Sequence, residues 1–268
     1  MKKTRIILLW LCLVIPLCGY AQKKQLQAFR DQIKAGKDLA KAENALRGLL
    51  VDSAARTDSR IWLMLCDALT KQYEQGNEKL YLKQKYDTAA FFSVTKRLYD
   101  VMSRFDSLDA RPDEKGRVRP KYRVRHAAFL NSIRPNLFNG GTYFVHRNDY
   151  QTAFEYYRDY LLSADYPLFA GYDYMQHDAL IPHAAYWAMF CGYKLGDADK
   201  TMRFKDLAEC DTSMLNFVRQ YEAEAYLMRK DTAMYVKSLQ AGFEQYPNFA
   251  FFFPRLVEYY ARIGEHEK

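Results

Sequence analysis

Little in this chain breaks a helix. Twelve glycines and eight prolines in 268 residues are too few for a fold of short strands and tight turns, which excludes a loop-rich β sandwich or barrel. Metal and disulfide chemistry is equally sparse. The five histidines are scattered, and the five cysteines form no Cys-x-x-Cys pair and no Cys/His spacing of a zinc site. No metal and no cofactor is therefore expected. Phosphate-binding glycine loops, nucleophile elbows and zinc-protease helices are missing too, so no residue is assigned a catalytic role. Charge of one sign is also modest. The formal net charge is +8, and removal of Lys2, Lys3 and Arg5 with an expected leader leaves +5. A nucleic-acid binder needs a denser basic stripe, and no nucleic-acid partner is expected.

Apolar and aromatic residues are what the chain has in quantity. They make up 49% of it, with 22 Tyr and 17 Phe, which suits long helices packed in layers. At the start, Lys2-Lys3-Thr4-Arg5 precedes an apolar run from Ile6 to Leu17, then Gly19-Tyr20-Ala21. Basic, apolar and small-residue regions in that order read as a secretory signal over residues 1–21, cut before Gln22. The run is shorter than the roughly 20 residues of a membrane-spanning helix. The expected product is exported to the periplasm or cell envelope of a Gram-negative-type bacterium and spans no membrane. Cys12 and Cys18 each follow a leucine, a poor context for lipid attachment, and both leave with the leader. Cys66, Cys191 and Cys210 remain, and three buried free thiols are the expectation, with one disulfide among them left open.

Three turn marks recur at a fixed step. Gly196-Asp197, Lys230-Asp231 and Gly264-Glu265 lie thirty-four residues apart, the period of stacked helical hairpins. The clearest unit runs from Pro135 to Pro167. Leu137, Gly140, Gly141 and Phe144 line a first helix, Asn148-Asp149 makes the turn with Asp149 as cap, and Ala153, Tyr157 and Tyr160 line a second. This unit resembles the tetratricopeptide repeat, with Gly140 in place of the family's Leu and Tyr160 in place of its second Ala. Gly141 and Ala153 are expected to face each other, since small residues let helix axes approach to about 8–10 Å.

The resemblance covers about half the chain well. It implies an all-α, right-handed superhelical solenoid of antiparallel helix pairs, with TPR-like repeats over residues 126–268. The units fall at about 135–167, 181–213, 216–247 and an incomplete 250–268. In the last, the face of Phe253, Leu256 and Tyr260 lacks a covering second helix, which points to a longer native chain or a docked partner. Upstream, 22–110 reads as divergent helical repeats: Ala42, Leu46 and Leu49, then Trp62, Leu65, Cys66 and Leu69, an extended turn over 75–87, and a stripe of Phe91, Val94, Leu98, Met102 and Phe105.

Two insertions interrupt the pattern. Residues 111–125 form a basic connector with Arg111, Lys115, Arg117, Arg119, Lys121, Arg123 and Arg125 against Asp113 and Glu114. Alternation from Arg117 onward puts one sign on one face of an extended segment, suited to an acidic partner, although such a run is commonly a solvated connector. The second insertion, about 166–182, carries Tyr172, Asp173, Tyr174, His177 and Asp178.

The resemblance implies a non-enzymatic scaffold whose groove holds a protein or peptide partner. In this chain that groove would draw on Asn136, Asn139, Tyr143, Arg147, Tyr186 and Arg219, with Arg119, Lys121 and Arg123 as a basic extension. One alternative is a glycan-binding module of an envelope uptake system that uses Tyr172 and Tyr174 as platforms. A second is a hydrolase that uses His177 with Asp173 or Asp178.

Overall fold

A computed structural model describes residues 23–264, and every regular element among them is helical. The expected leader and its cut before Gln22 lie outside the described residues, as does Glu265 of the last turn mark. Among the described residues no helix is long and apolar enough to cross a membrane. The chain divides into two compact units, one up to Leu130 and one from Asn131 onward.

The N-terminal unit contains α1 (23–35), α2 (Leu39–Leu49), α3 (Ser59–Tyr81), α4 (Thr88–Asp109) and the first part of α5 (Arg123–Ile133). Aspartates start the two long helices. The Asp58 carboxylate accepts from the Arg60 amide, and Asp87 accepts from the amides of Ala89 and Ala90. Apolar residues three and four apart then set the packing: Ile61, Leu65 and Leu69 of α3, with Phe91, Val94, Leu98, Met102 and Phe105 of α4, are all buried. α3 packs against both α2 and α4. The expected turn over 75–87 is shorter than its composition suggests. α3 continues to Tyr81, and Lys83 in the left-handed region (φ 55°) breaks it.

The C-terminal unit contains α6 (Pro135–Val145), α7 (Tyr150–Ser163), α8 (Tyr174–His177), α9 (Ile181–Lys194), α10 (Ala198–Met202), α11 (Lys205–Ala208), α12 (Leu215–Met228), α13 (Thr232–Gln245) and α14 (Phe252–Ile263). The long helices pack in chain order, α6 on α7, α7 on α9, α9 on α12, α12 on α13 and α13 on α14.

One turn device recurs through this unit. Asn148, Gly196, Lys230 and Gly264 all take left-handed backbone angles, with φ between 57° and 77°. After the first three, an aspartate amide reaches back to the preceding helix: Asp149 to the Phe144 carbonyl, Asp197 to Gly192 and Asp231 to Tyr226. Each of these aspartates also caps the following helix, accepting from the amides of Thr152, Lys200 and Met234 respectively. The left-handed residue satisfies carbonyls at one helix end and the aspartate satisfies amides at the next. The thirty-four-residue step from Gly196 to Lys230 is thus a step between two turns built on the same hydrogen bonds. Lys230 holds the position without glycine's freedom, at a cost of about 1–2 kcal/mol.

Three details depart from expectation. The group nearest Gly141 is the ring of Tyr157, not Ala153: the ring's Cζ lies 2.6 Å from where a Cβ would stand. The second half of the expected 181–213 unit is not one helix, because the chain turns at 203–204 between α10 and α11. At Gly192 the backbone of Thr201 occupies the space a side chain would need, so α9 and α10 meet backbone to backbone. In α14, Phe252 and Leu256 are buried with Ala223, Tyr235 and Leu239, whereas Phe253 and Val257 point outward. The uncovered face is therefore rotated from the one expected.

Candidate binding surface

Pro135 opens α6, its fixed φ suited to the first helical position. Asn136, Asn139 and Tyr143 follow at three- and four-residue spacing, and Arg147 lies just past the helix end. Asn139 and Arg147 are exposed, and Asn136 and Tyr143 are half-buried. The Arg147 guanidinium lies 3.8 Å from the centre of the Tyr143 ring, a cation–π contact that orients both groups. These four sequence-predicted residues form one polar ridge.

The other two groove residues are placed differently. Tyr186 on α9 is 6% exposed, wedged among His183, Trp187 and Tyr221, and burial raises its phenol pKa. It is a packing residue and presents no surface to a partner. Arg219 on α12 is taken up in an ion-pair network, 2.5 Å from Glu209 and 3.1 Å from Glu222, which Lys205 also joins. Burial alone would lower its pKa, and the two glutamates more than reverse that.

Between these elements lies a ridge that sequence reasoning missed. His183 Nδ1 is 3.1 Å from Asp211 Oδ2, and the Trp187 indole N–H donates to His183 Nε2 at 3.1 Å. This pairing fits a neutral imidazole protonated on Nδ1. Burial would raise the Asp211 pKa, but hydrogen bonds from Ser213 and His183 hold it below the usual carboxylate range. Both ring nitrogens of His183 are engaged by these two contacts. Aromatic rings continue from it in both directions. Phe138 stacks on His183 and Tyr157 on Trp187, while Tyr193 stacks on Tyr221 at 4.9 Å between ring centres. Trp187, Phe190, Tyr193 and Phe217 are each half-buried. Their partly open rings supply apolar contact, and the Tyr193 hydroxyl adds a hydrogen-bonding group. The four-residue step from His183 to Trp187 was a visible signal. Asp211, twenty-eight residues on, was not.

The second insertion is folded inward. Arg134, buried at the start of α6, lies between the rings of Tyr160 and Tyr174, at 3.8 and 4.0 Å from their centres. It forms an ion pair with Asp178 and donates to the Tyr160 carbonyl. Tyr160 Oη donates to Asp178 at 2.6 Å, and Tyr174 Oη donates to Asn131 at 2.6 Å. Tyr174 is therefore buried with both its ring and its hydroxyl engaged, against the expectation of an exposed platform. Half-buried Tyr172 stacks on it. His177 and Asp173 are largely exposed, 3.9 Å apart, and Asp178 is committed to Arg134.

The basic connector lies in the N-terminal unit and is only partly free. Arg117 folds back on Asp113, and Arg123 makes a two-pronged ion pair with buried Asp106 at 2.7 and 2.8 Å. Arg123 thus fixes the start of α5 and is not a free contact residue. Arg119 and Lys121 are exposed. Helix begins at Arg123, so Arg123 and Arg125 leave the extended alternation expected from Arg117 onward.

Among the described residues, no group of three or more His, Cys, Asp or Glu side chains converges to hold a metal ion. No protein-family model matches the chain, and no curated protein matches it.

Proposed function

We propose that this chain is a non-enzymatic scaffold of TPR-like helix pairs, stacked in a right-handed superhelix, that holds a protein or peptide segment in the cell envelope. The observation that carries this reading is the recurring turn: a left-handed residue followed by a capping aspartate at Asn148, Gly196 and Lys230. A repeated connection between helices is what a hairpin array requires, and such arrays work by presenting a surface. The partner surface is the ridge of Asn136, Asn139, Tyr143 and Arg147 with the half-open rings of Trp187, Phe190 and Tyr193. Aromatic and arginine side chains are the residue types that anchor protein interfaces. Export rests on the basic-apolar-small pattern of residues 1–21.

Site-specific photocrosslinking in the native envelope tests this. A crosslinker at Asn139 or Trp187 should capture one defined partner, and a crosslinker at exposed Gln151 on α7 should not. Tyr143→Ala with Arg147→Glu should abolish that capture without altering the helical circular-dichroism signal. Equal capture from all three positions, or capture indifferent to the double substitution, would remove this surface as the binding site.

A further inference from the structure

The N-terminal unit holds a cleft of about 550 Å³ that the proposed partner surface does not use. A face of α1 contributes Arg30, Ile33 and Lys34 at three- and four-residue spacing. A stripe of α3 from Arg60 to Glu74 contributes the larger part, and Arg125 joins from the first turn of α5. Ile33, Leu63 and Met64 supply the apolar lining, with Ile33 and Met64 buried.

The charges around this lining do not balance. Arg60 is paired with Asp58 at 2.7 Å. Among the described residues, Arg30, Lys34, Lys71 and Arg125 enter no ion pair, and only Asp67 and Glu74 oppose them within the cleft. Four cations against two carboxylates leave a surplus of +2 on a concave, partly apolar surface. Crowding by the cleft walls raises the Asp67 pKa, and the nearby charges of Arg125, Lys71 and Arg30 counter this only in part. Like charges held together along a concave surface focus a positive potential and favour an anionic ligand. The volume also lies in the range of about 300–1,000 Å³ typical of small-ligand sites.

We propose that this cleft binds an organic anion with an apolar body, its charged head held by Arg30, Lys71 and Arg125 and its body lying on Ile33, Leu63 and Met64. A head of about two negative charges would cancel the surplus. A phosphate monoester carries roughly −1.5 to −2 at neutral pH, and a geminal dicarboxylate carries a similar charge. The arginines offer planar forks to either head, and Lys71 offers a compact point charge. The site rests on the N-terminal unit alone, so it stands or falls independently of the scaffold reading.

Isothermal titration calorimetry of the purified protein tests this with octyl phosphate, octylmalonate, octanol and octyltrimethylammonium as probes. Saturable binding of octyl phosphate or octylmalonate, with octanol and the ammonium probe weaker by roughly tenfold or more, is the expected result. Which anion binds more tightly identifies the head group as phosphate or carboxylate. Lys71→Gln with Arg125→Gln should weaken the preferred anion by about tenfold or more and leave the circular-dichroism spectrum unchanged. Leu63→Gln should weaken it through the apolar part while leaving its salt dependence intact. Octanol bound as tightly as the anions, undiminished affinity in the double variant, or no heat from either anion at millimolar concentration would each overturn the proposal.

Discussion

The two insertions both interrupt the repeat pattern, but they differ in composition, 111–122 being largely charged and 166–180 largely apolar and aromatic, and they end differently. The segment around 111–122 stays at the surface, closed locally by Arg117 on Asp113 and anchored at its end by Arg123 on Asp106. The segment around 166–180 is drawn into the C-terminal unit, where Leu168, Phe169 and Tyr174 are buried and Arg134 is gripped by Tyr160, Tyr174 and Asp178. The difference begins with the apolar residues of the second loop and continues in what lies beneath each loop. A buried arginine needs a carboxylate and ring faces brought to it, and only the second loop supplies them. Aromatic content in a loop is thus a poor guide to exposure when an unpaired cation waits below it.

The largest test of this contrast is Arg134→Met, which keeps the apolar stem and deletes the charge. Removing one partner of a buried pair costs about 3–5 kcal/mol. A value near 3 kcal/mol is expected, because Asp178 keeps its bond from Tyr160 and retains some contact with solvent. Urea unfolding measures it, and a loss below about 1 kcal/mol would mean that the second loop is held no more firmly than an exposed ion pair would hold it.

A packing reference for that number comes from Gly141→Leu. The Tyr157 ring stands where the new side chain would go, and overpacking of this kind costs roughly 1–3 kcal/mol. An unchanged unfolding midpoint would show that Tyr157 moves aside freely.

Acid should separate the loops as well. Burial alone would raise the Asp178 pKa, but hydrogen bonds from Tyr160 and Arg134, with the arginine's charge, hold it below the usual carboxylate value. A carboxylate depressed in the folded state contributes stability above its unfolded pKa of about 3.9 and loses it as pH falls through the lower folded value. Urea midpoints followed down from about pH 5 should therefore drop more steeply in the native chain than in Arg134→Met. Parallel curves would detach Asp178 from the arginine.

The smallest expected effect belongs to the first loop. Arg119→Glu with Lys121→Glu should shift stability by no more than about 0.5 kcal/mol, since both side chains are exposed. A larger loss by the same urea measurement would show that the connector is packed after all.

What was legible in the sequence was what a few neighbouring residues decide among themselves. Asp149 as a helix cap, the thirty-four-residue turn step and the buried stripe of α4 all follow from side chains acting on adjacent backbone or from simple periodicity. Arg134 was not legible as a core residue. An arginine beside a proline reads as surface until the partners 26 and 44 positions later are brought to it. His183 and Asp211 meet for the same kind of reason. Of the residues assigned to the groove, those on the single helix α6 fell together because one helix face is a local property. Tyr186 and Arg219, on other helices, were claimed by neighbours that spacing could not name.

The three cysteines between residues 23 and 264 give the molecule a built-in chemical clock. Cys66 in the N-terminal unit and Cys191 in the C-terminal unit are buried free thiols, whereas Cys210 is exposed, contrary to the expectation of three buried ones. Burial pushes the Cys191 thiol up to about 12 and raises that of Cys66 as well, so neither forms the reactive thiolate while its unit is closed. A thiol reagent added to the folded protein would tag Cys210 first. It would then reach Cys66 and Cys191 only as each unit opens, and the order of labelling by mass would rank the two units' opening rates in a single unmodified chain.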